Sequence, residues 1–346
     1  MPKKLIYILA FESSCDDTSV AVLCKEPNDD LPKLVSLAVQ NQDEVHAKYG
    51  GIVPELASRA HLVNLLPCLR KALTEAKLKI EEVSLICAAA EPGLVGSLLV
   101  GHTAAKTLAF LYKKDFVSCH HIEGHLHSIL LTERPSFPLV SLVVSGGHTS
   151  LYELSSVYEW RLLGQTLDDA IGEAFDKGAK SLGLGFPGGA ELEILAKSGD
   201  NLGYKFPSVK VGEFDFSFSG LKSEFMRILV REAELVNHQN LAASYQKALF
   251  DHLESRLRNG LESTGCLNLA IVGGVAKNQE LRSRLEGLKS EGLIANFWAA
   301  KPEYCTDNAA MIGMTGYLRW SQGFRSELSD DVRSTHRPKL KKLSRG

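Results

Sequence analysis

The chain has 346 residues, 45% of them hydrophobic and 23% charged, with a formal net charge of −2. That length favours two domains over one hydrophobic core, and the composition is that of a globular protein rather than a low-complexity or fibrous one. A charge so close to neutral makes no global case for nucleic-acid binding and leaves only a local basic surface to look for.

Lys3-Lys4 lead into an apolar run, but Glu12, Asp16 and Asp17 follow without a usable cleavage region, so a mature soluble intracellular protein is expected. Residues 5–11 form a strand-type run, 12–17 a polar turn, and 18–23 a second strand. Residues 54–76 carry a helical pattern with Leu56, Ala60, Val63, Leu66 and Leu69 on one stripe. A buried-type strand at 83–90 is broken by Pro92-Gly93, and a helix of small residues runs from about 95 to 111. That helix is interrupted by His102 and Lys106, so no membrane span is expected.

The second half repeats the opening: strand 139–144, a Ser145-Gly146-Gly147-His148 turn, and strand 149–154. Helices are expected at about 168–182, 220–234 and 241–263, then a buried strand at 267–272 and a helix at 278–288. Two strand–turn–strand units, each opening one half, predict a duplicated α/β fold. The tail from Arg333 has six Lys/Arg and no acid and reads as a solvated extension. Seven cysteines, an odd number with no C-x-x-C pair, predict reduced thiols.

Chemistry concentrates in His121-Ile122-Glu123-Gly124-His125. On a helix, positions i and i+4 share a face, so both imidazoles reach one ion. A metalloprotease needs its glutamate directly after the first histidine, whereas Glu123 lies roughly 200° around the helix from His121. The peptidase reading therefore fails. The alternative to a metal site is a histidine-rich helix end, since His120 and His127 crowd there too. Two histidines are too few for a metal shell, and Asp307, before a helix, is the best-placed third ligand.

The glycines of Ser145-Gly146-Gly147 permit close ligand approach, although a plain hairpin fits equally well. Gly273-Gly274 lead from a strand into a helix with Asn278 at its start. Phe186-Pro187-Gly188-Gly189 follow a helix bearing Asp176, which suits a ribose hydroxyl or a metal-bound water, or else a surface ion pair. The Gly273–Asn278 loop is not G-x-G-x-x-G, and the P-loop pattern is absent, so Rossmann and P-loop readings are weak. Three glycine turns at element ends match nucleotide binding in a cleft between duplicated domains.

Together, residues 12–18, 50–55, 121–125, 144–149, 172–177, 216–222 and 305–308 resemble the TsaD family of tRNA N6-adenosine threonylcarbamoyltransferases, in family order from about residue 5 to 320. The resemblance implies an α/β actin-like ATPase (ASKHA) fold with a central cleft. Its halves would be 1–137, completed by a helix at about 303–325, and 138–302, with a basic tail at 326–346. It implies transfer of a threonylcarbamoyl group from threonylcarbamoyl-AMP to N6 of the adenosine 3′ of the anticodon, in tRNAs reading codons that begin with A. By matching position His121, His125 and Asp307 are the metal ligands. Val143, Val144, Ser145, Gly146, Gly147, Asp176, Gly189 and Asn278 hold the adenylate or ATP, with Glu193 near the ribose. Asp16 and Asp17 match an acidic pair implicated in activity.

Val143 replaces a tyrosine ligand of the archaeal and eukaryotic cytosolic branch, which implies a bacterial or organellar type. Glu91, Lys277 and Ala190 also depart from the pattern, at the nucleotide loops. Two imidazoles and a carboxylate suit Fe2+ or Zn2+ better than Mg2+. Implied partners are tRNA, a degenerate actin-like paralogue (TsaB type) and a small P-loop ATPase (TsaE type) if the chain is bacterial. A homodimer is implied if it is mitochondrial, and no membrane in either case. The location is the cytoplasm, or the mitochondrial matrix after transit-peptide removal. Rival readings are a small-molecule kinase or ATPase of the same fold and a nucleotide-gated scaffold.

Overall fold

Two antiparallel hairpins set the plan of the molecule. The computed structural model describes residues 5–335; the Lys3-Lys4 pair and the basic tail from residue 336 onward lie outside the described residues. In the first half β1 (Ile6–Glu12) pairs antiparallel with β2 (Thr18–Lys25), and β2 with β3 (Lys33–Gln40). Then come α1 (Asp43–Ala47), α2 (Pro54–Glu75), β4 (Leu85–Glu91), α3 (Val95–Tyr112), β5 (Asp115–His120) and α4 (His121–Ser128). β4 lies parallel to β1 and β5 parallel to β4, giving the order β3-β2-β1-β4-β5.

The second half reproduces that order. β6 (Leu139–Val144), β7 (Thr149–Leu154) and β8 (Trp160–Gln165) form the antiparallel part. After α5 (Ile171–Ser181), α6 (Gly189–Ala196), α7 (Ser219–Glu232) and α8 (His238–Thr264), β9 (Asn268–Val272) returns parallel to β6. Beyond α9 (Gln279–Gly287), β10 (Asn296–Ala299) lies parallel to β9. The sheet reads β10-β9-β6-β7-β8, the first sheet's topology repeated. This duplicated α/β arrangement is the actin-like ATPase fold.

The central strands are apolar along their length because both faces are covered. Ile8, Ala10, Leu23, Leu85 and Cys87 meet the last helix, α10 (Ala309–Ser321), while Leu9, Phe11, Val20, Val22 and Ile86 meet residues of α2 and α3. The chain thus returns from the second half to complete the first. Gly316 permits this closeness, since a Cβ there would lie 2.1 Å from Cys87 Sγ.

Several short elements escape the sequence reading. β3, β5, β8 and β10 are short or polar at their ends, and α5 begins at Ile171 rather than Asp168. Asp168 is engaged elsewhere, accepting from Phe218 N–H at 2.8 Å and Ser219 Oγ at 2.7 Å to cap α7. The stripe on α2 is split. Val63 and Leu66 are exposed, and the buried face instead holds Ala57, His61, Leu65, Cys68 and Leu69.

Of the solvated extension expected from Arg333, the described residues 333–335 are exposed, while the chain leading into them is tied down. Arg333 N–H donates to Ala90, Lys106 Nζ reaches the Asp330 carbonyl, and Val332 is buried. No helix of the described residues is long and apolar enough to cross a membrane.

Candidate metal centre

β5 ends at His120 and α4 starts at once, which turns His121 and His125 toward the mouth of the first hairpin. His120 caps this start, its Nδ1 accepting from Glu123 N–H at 3.3 Å. Both ligand candidates are buried, and their ring centroids are 4.8 Å apart. Asp307 comes from the loop before α10. Asn308 caps that helix through Met311 N–H at 3.1 Å, and Ala309 N–H reaches Ser19 Oγ on β2 at 3.0 Å. Those two bonds fix the aspartate one residue away. Asp307 Oδ1 lies 3.1 Å from His125 Nε2 and 3.5 Å from His121 Nε2. The three donor atoms fall within 4.8 Å of one another.

The residues fit a metal ion. His125 is fully buried; among the described residues its Nδ1 has no hydrogen-bond partner, and its Nε2 has only the Asp307 carboxylate at 3.1 Å, outside hydrogen-bond geometry. A buried polar atom without a partner is costly, and an ion between the imidazoles and the carboxylate would satisfy Nε2. His121 has its other nitrogen occupied: Nδ1 lies 3.0 Å from Glu12 Oε2 and 3.1 Å from Ser14 Oγ. A carboxylate on Nδ1–H fixes the tautomer that leaves Nε2 free to ligate. Glu12 Oε1 also accepts Ser14 N–H at 2.5 Å.

Charge is balanced within the group. Burial lowers the His121 pKa, but Asp307 and Glu12 overcome it and raise it to about 9. Burial acts to raise Asp307, yet His121 and His125 hold it well below the ordinary carboxylate range. His148, 5.9 Å from His121 ring to ring, is driven down to about 3 by burial and by the two neighbouring histidines. Glu123 points the other way and forms a buried ion pair with Arg319 of α10, which ties α4 to the last helix.

Asp16 and Asp17 form the tip of the β1–β2 turn, beside the centre. Burial raises Asp16, with Asp307 adding to it; burial raises Asp17 to about 8, with Asp307, Asp16, Asp43 and Glu12 adding. The β6–β7 turn faces the same centre through His148. Its Ser145 N–H is not bare, as the sequence suggests, but closes the turn on the His148 carbonyl at 2.8 Å. Gly146 and Gly147 are exposed, with open space where a side chain would stand. Val143 and Val144 are fully buried, paired with β7, and Val143 also with β9, so neither presents accessible surface to a ligand.

The remaining candidates cluster on the second half. Gly273 has φ +97, and a Cβ there would lie 2.3 Å from the Val144 carbonyl; glycine lets this loop lie against the strand that ends in the turn. Among the described residues Asp176 makes no ion pair; its Oδ1 accepts Gly188 N–H at 2.9 Å and Gly189 N–H at 3.0 Å, holding the start of α6. Glu193 Oε1 accepts Gln279 N–H at 3.1 Å. Asn278 uses its whole amide internally, Oδ1 capping Leu281 N–H at 3.0 Å and Nδ2 donating to Gln246 at 3.1 Å. The sequence reading missed Glu12 and His148. Their signal was position alone, each standing at one end of a hairpin turn.

The family model described as TsaD, tRNA N6-adenosine threonylcarbamoyltransferase, matches residues 33–314. Curated proteins of that name are similar over nearly their whole length. The one from Thermodesulfovibrio yellowstonii is 43% identical over 94% of this chain and 98% of its own. The one from Symbiobacterium thermophilum is 44% identical over 93% and 94%. Among solved structures, HypF of T. kodakarensis aligns with 93% of this chain and 49% of its own at a TM-score of 0.61 and 15% identity. The activator of the 2-hydroxyisocaproyl-CoA dehydratase from Clostridium difficile, with bound ADPNP, aligns over 93% and 99% at a TM-score of 0.50 and 13% identity. At those identities the structures speak to the fold alone.

Proposed function

The chain belongs to the TsaD family of tRNA N6-adenosine threonylcarbamoyltransferases, and from that premise we propose that it transfers a threonylcarbamoyl group to tRNA at the His121–His125–Asp307 centre. The acceptor is N6 of the adenosine 3′ of the anticodon, and the donor is threonylcarbamoyl-AMP. The observation that carries the assignment to this site is the convergence of the buried His121 and His125 rings with the Asp307 carboxylate, their three donor atoms within 4.8 Å of one another.

The reaction is an acyl transfer. N6 attacks the carbamoyl carbon, the carbon–oxygen bond to phosphate breaks, AMP leaves with that oxygen, and N6 loses a proton. A bound Fe2+ or Zn2+, the ions that suit this donor set better than Mg2+, supplies Lewis acidity where charge builds as AMP leaves. Glu12 holds His121 in the ligating tautomer. The Gly146 and Gly147 N–H groups act as fixed donors to the leaving phosphate. Asp176, through Gly188 and Gly189, sets the α6 start near the ribose, and Glu193 of the same helix ties it to the start of α9, which Asn278 caps. Asp16 or Asp17 receives the N6 proton, Asp16 being the better suited, because burial and neighbouring carboxylates raise Asp17 to about 8 and leave it already protonated near neutral pH.

The exposed apolar face of α2, with Leu62 66%, Val63 71% and Leu66 56% accessible, supports a docked partner. We assign it to the degenerate actin-like paralogue, with the small P-loop ATPase joining that pair. The bacterial relatives support a cytoplasmic setting. The test is to incubate purified protein with threonylcarbamoyl-AMP and unmodified tRNA, with and without the partners. The digested nucleosides are then read by mass spectrometry. The expected product is N6-threonylcarbamoyladenosine; nucleotide hydrolysis with no modified nucleoside under any combination would overturn the assignment.

A further inference from the structure

The two halves of the catalytic turn are held by different helices. Ser13 Oγ donates to the Ser97 carbonyl of α3 at 2.8 Å and accepts Gly101 N–H at 3.1 Å, and the Ser14 carbonyl accepts Leu94 N–H at 2.8 Å. The second half, carrying Asp16 and Asp17, is held from α2 by His61. Its Nε2 lies 2.9 Å from the Cys15 carbonyl and its Nδ1 lies 2.8 Å from Thr18 Oγ1. A carbonyl only accepts, so Nε2 carries the proton and Nδ1 accepts from the Thr18 hydroxyl. One buried imidazole therefore bonds to the residue before the acidic pair and to the residue after it.

The other bonds to the pair are local, from the Cys15 thiol and the turn's own backbone to Asp16. Among the described residues no lysine or arginine forms an ion pair with Asp16 or Asp17, and the charges acting on Asp17 are those of other carboxylates. His61 itself is well anchored. It is fully buried, one turn before Leu65 and two before Cys68 and Leu69, which pack in the core beneath β2. A side chain on a packed helix sets geometry more sharply than one on a loop.

We propose that His61 is a positioning residue for the transfer step, fixing the Asp16–Asp17 carboxylates by bonding to both flanks of the turn that bears them. The proposal rests on the reading that the acidic pair takes part in transfer. It also gives α2 two working faces: His61 reaches the turn from the inner one, and the adjoining Leu62 and Val63 lie on the outer one. Neither His61 bond touches a metal ligand, so its loss leaves the ion in place.

The test is a double-mutant cycle on the full chain, read as kcat and KM for tRNA, with metal content and melting temperature measured on every variant. His61→Ala is expected to lower kcat by about 10- to 100-fold, the scale of a small misplacement of reacting groups, with KM and metal content unchanged. His61→Gln, which keeps a donor toward Cys15, recovers part of the loss. In an Asp16→Asn/Asp17→Asn background, His61→Ala should cost nothing further, because the pair through which it acts is already gone. Should His61→Ala unfold, Thr18→Val removes one bond and is expected to show a smaller kcat loss with the same non-additivity. An unchanged kcat in a folded His61→Ala, or an equal loss in both backgrounds, overturns the positioning role. Parental kcat in Asp16→Asn/Asp17→Asn would instead sink the acidic-pair reading beneath it.

Discussion

At the scale of single residues, His121 has two nitrogens with two tasks, Nδ1 toward Glu12 and Nε2 toward Asp307. His121→Ala and Asp307→Ala should each abolish transfer while leaving a soluble fold, checked by nucleoside mass spectrometry and circular dichroism. Two other histidines carry a pH prediction. Burial first, then Lys106, lowers His102 to about 4, and burial first, then Arg256, lowers His252 to about 4. Both stay neutral in the fold, whereas the unfolded chain protonates them near pH 6.5. The unfolded state therefore binds more protons between about pH 6.5 and 4, and stability falls as pH falls through that window, by about 1 kcal/mol per unit per histidine. Above pH 6.5 neither contributes. His102→Gln should flatten the acid-side decline in a urea-denaturation series; an unchanged slope would count against it. Of the site, the grouping of His121, His125 and Asp307, which could hold a metal ion, was legible from spacing and from the family resemblance. Glu12 was not, because a glutamate closing an apolar strand becomes a histidine's partner only when β1 and α4 meet.

At the scale of elements, the long periodic runs were readable, and the short polar ones were not. β1, β2, β6, β7 and α3 follow from runs of apolar or small residues. β5, with Asp115 and His120 at its ends, and the four-residue β10 depend on neighbouring strands for their pairing. On α2 the periodicity marked a helix, but composition could not tell which of two apolar faces is buried, and Val63 and Leu66 turn outward. Leu62→Asp with Val63→Asp should abolish association with the actin-like partner in gel filtration while shifting stability by no more than about 0.5 kcal/mol; retained association would remove α2 from the interface. The start of α10 makes a separate prediction. Asn308→Ala removes the cap beside Asp307 and should cost about 1 kcal/mol in denaturant unfolding, together with a measurable loss of metal affinity. A loss of stability without any loss of affinity would show that the cap does not position the ligand.

At the scale of the whole molecule, the repeated sheet order places two hairpin turns on either side of one centre. The first-half turn brings Glu12, Asp16 and Asp17, the second brings Gly146 and Gly147, and the return of α10 to the first sheet brings Asp307 between them. The duplication was legible because both halves open with the same strand–turn–strand pattern. The anchoring of residues 326–335 was not, since Val332 and the exposed Leu328 are two isolated apolar residues in a polar stretch, and the packing of Val332 on the first half is a tertiary feature. The central claim is that threonylcarbamoyl transfer depends on an ion at His121, His125 and Asp307. It is tested most directly by stripping the metal with a chelator and restoring Fe2+ or Zn2+ in steps, with bound metal and modified nucleoside measured on the same samples. Transfer should vanish on stripping and return in proportion to occupancy, saturating at one ion per chain, with no recovery in Asp307→Ala. Full transfer by the stripped protein would contradict it.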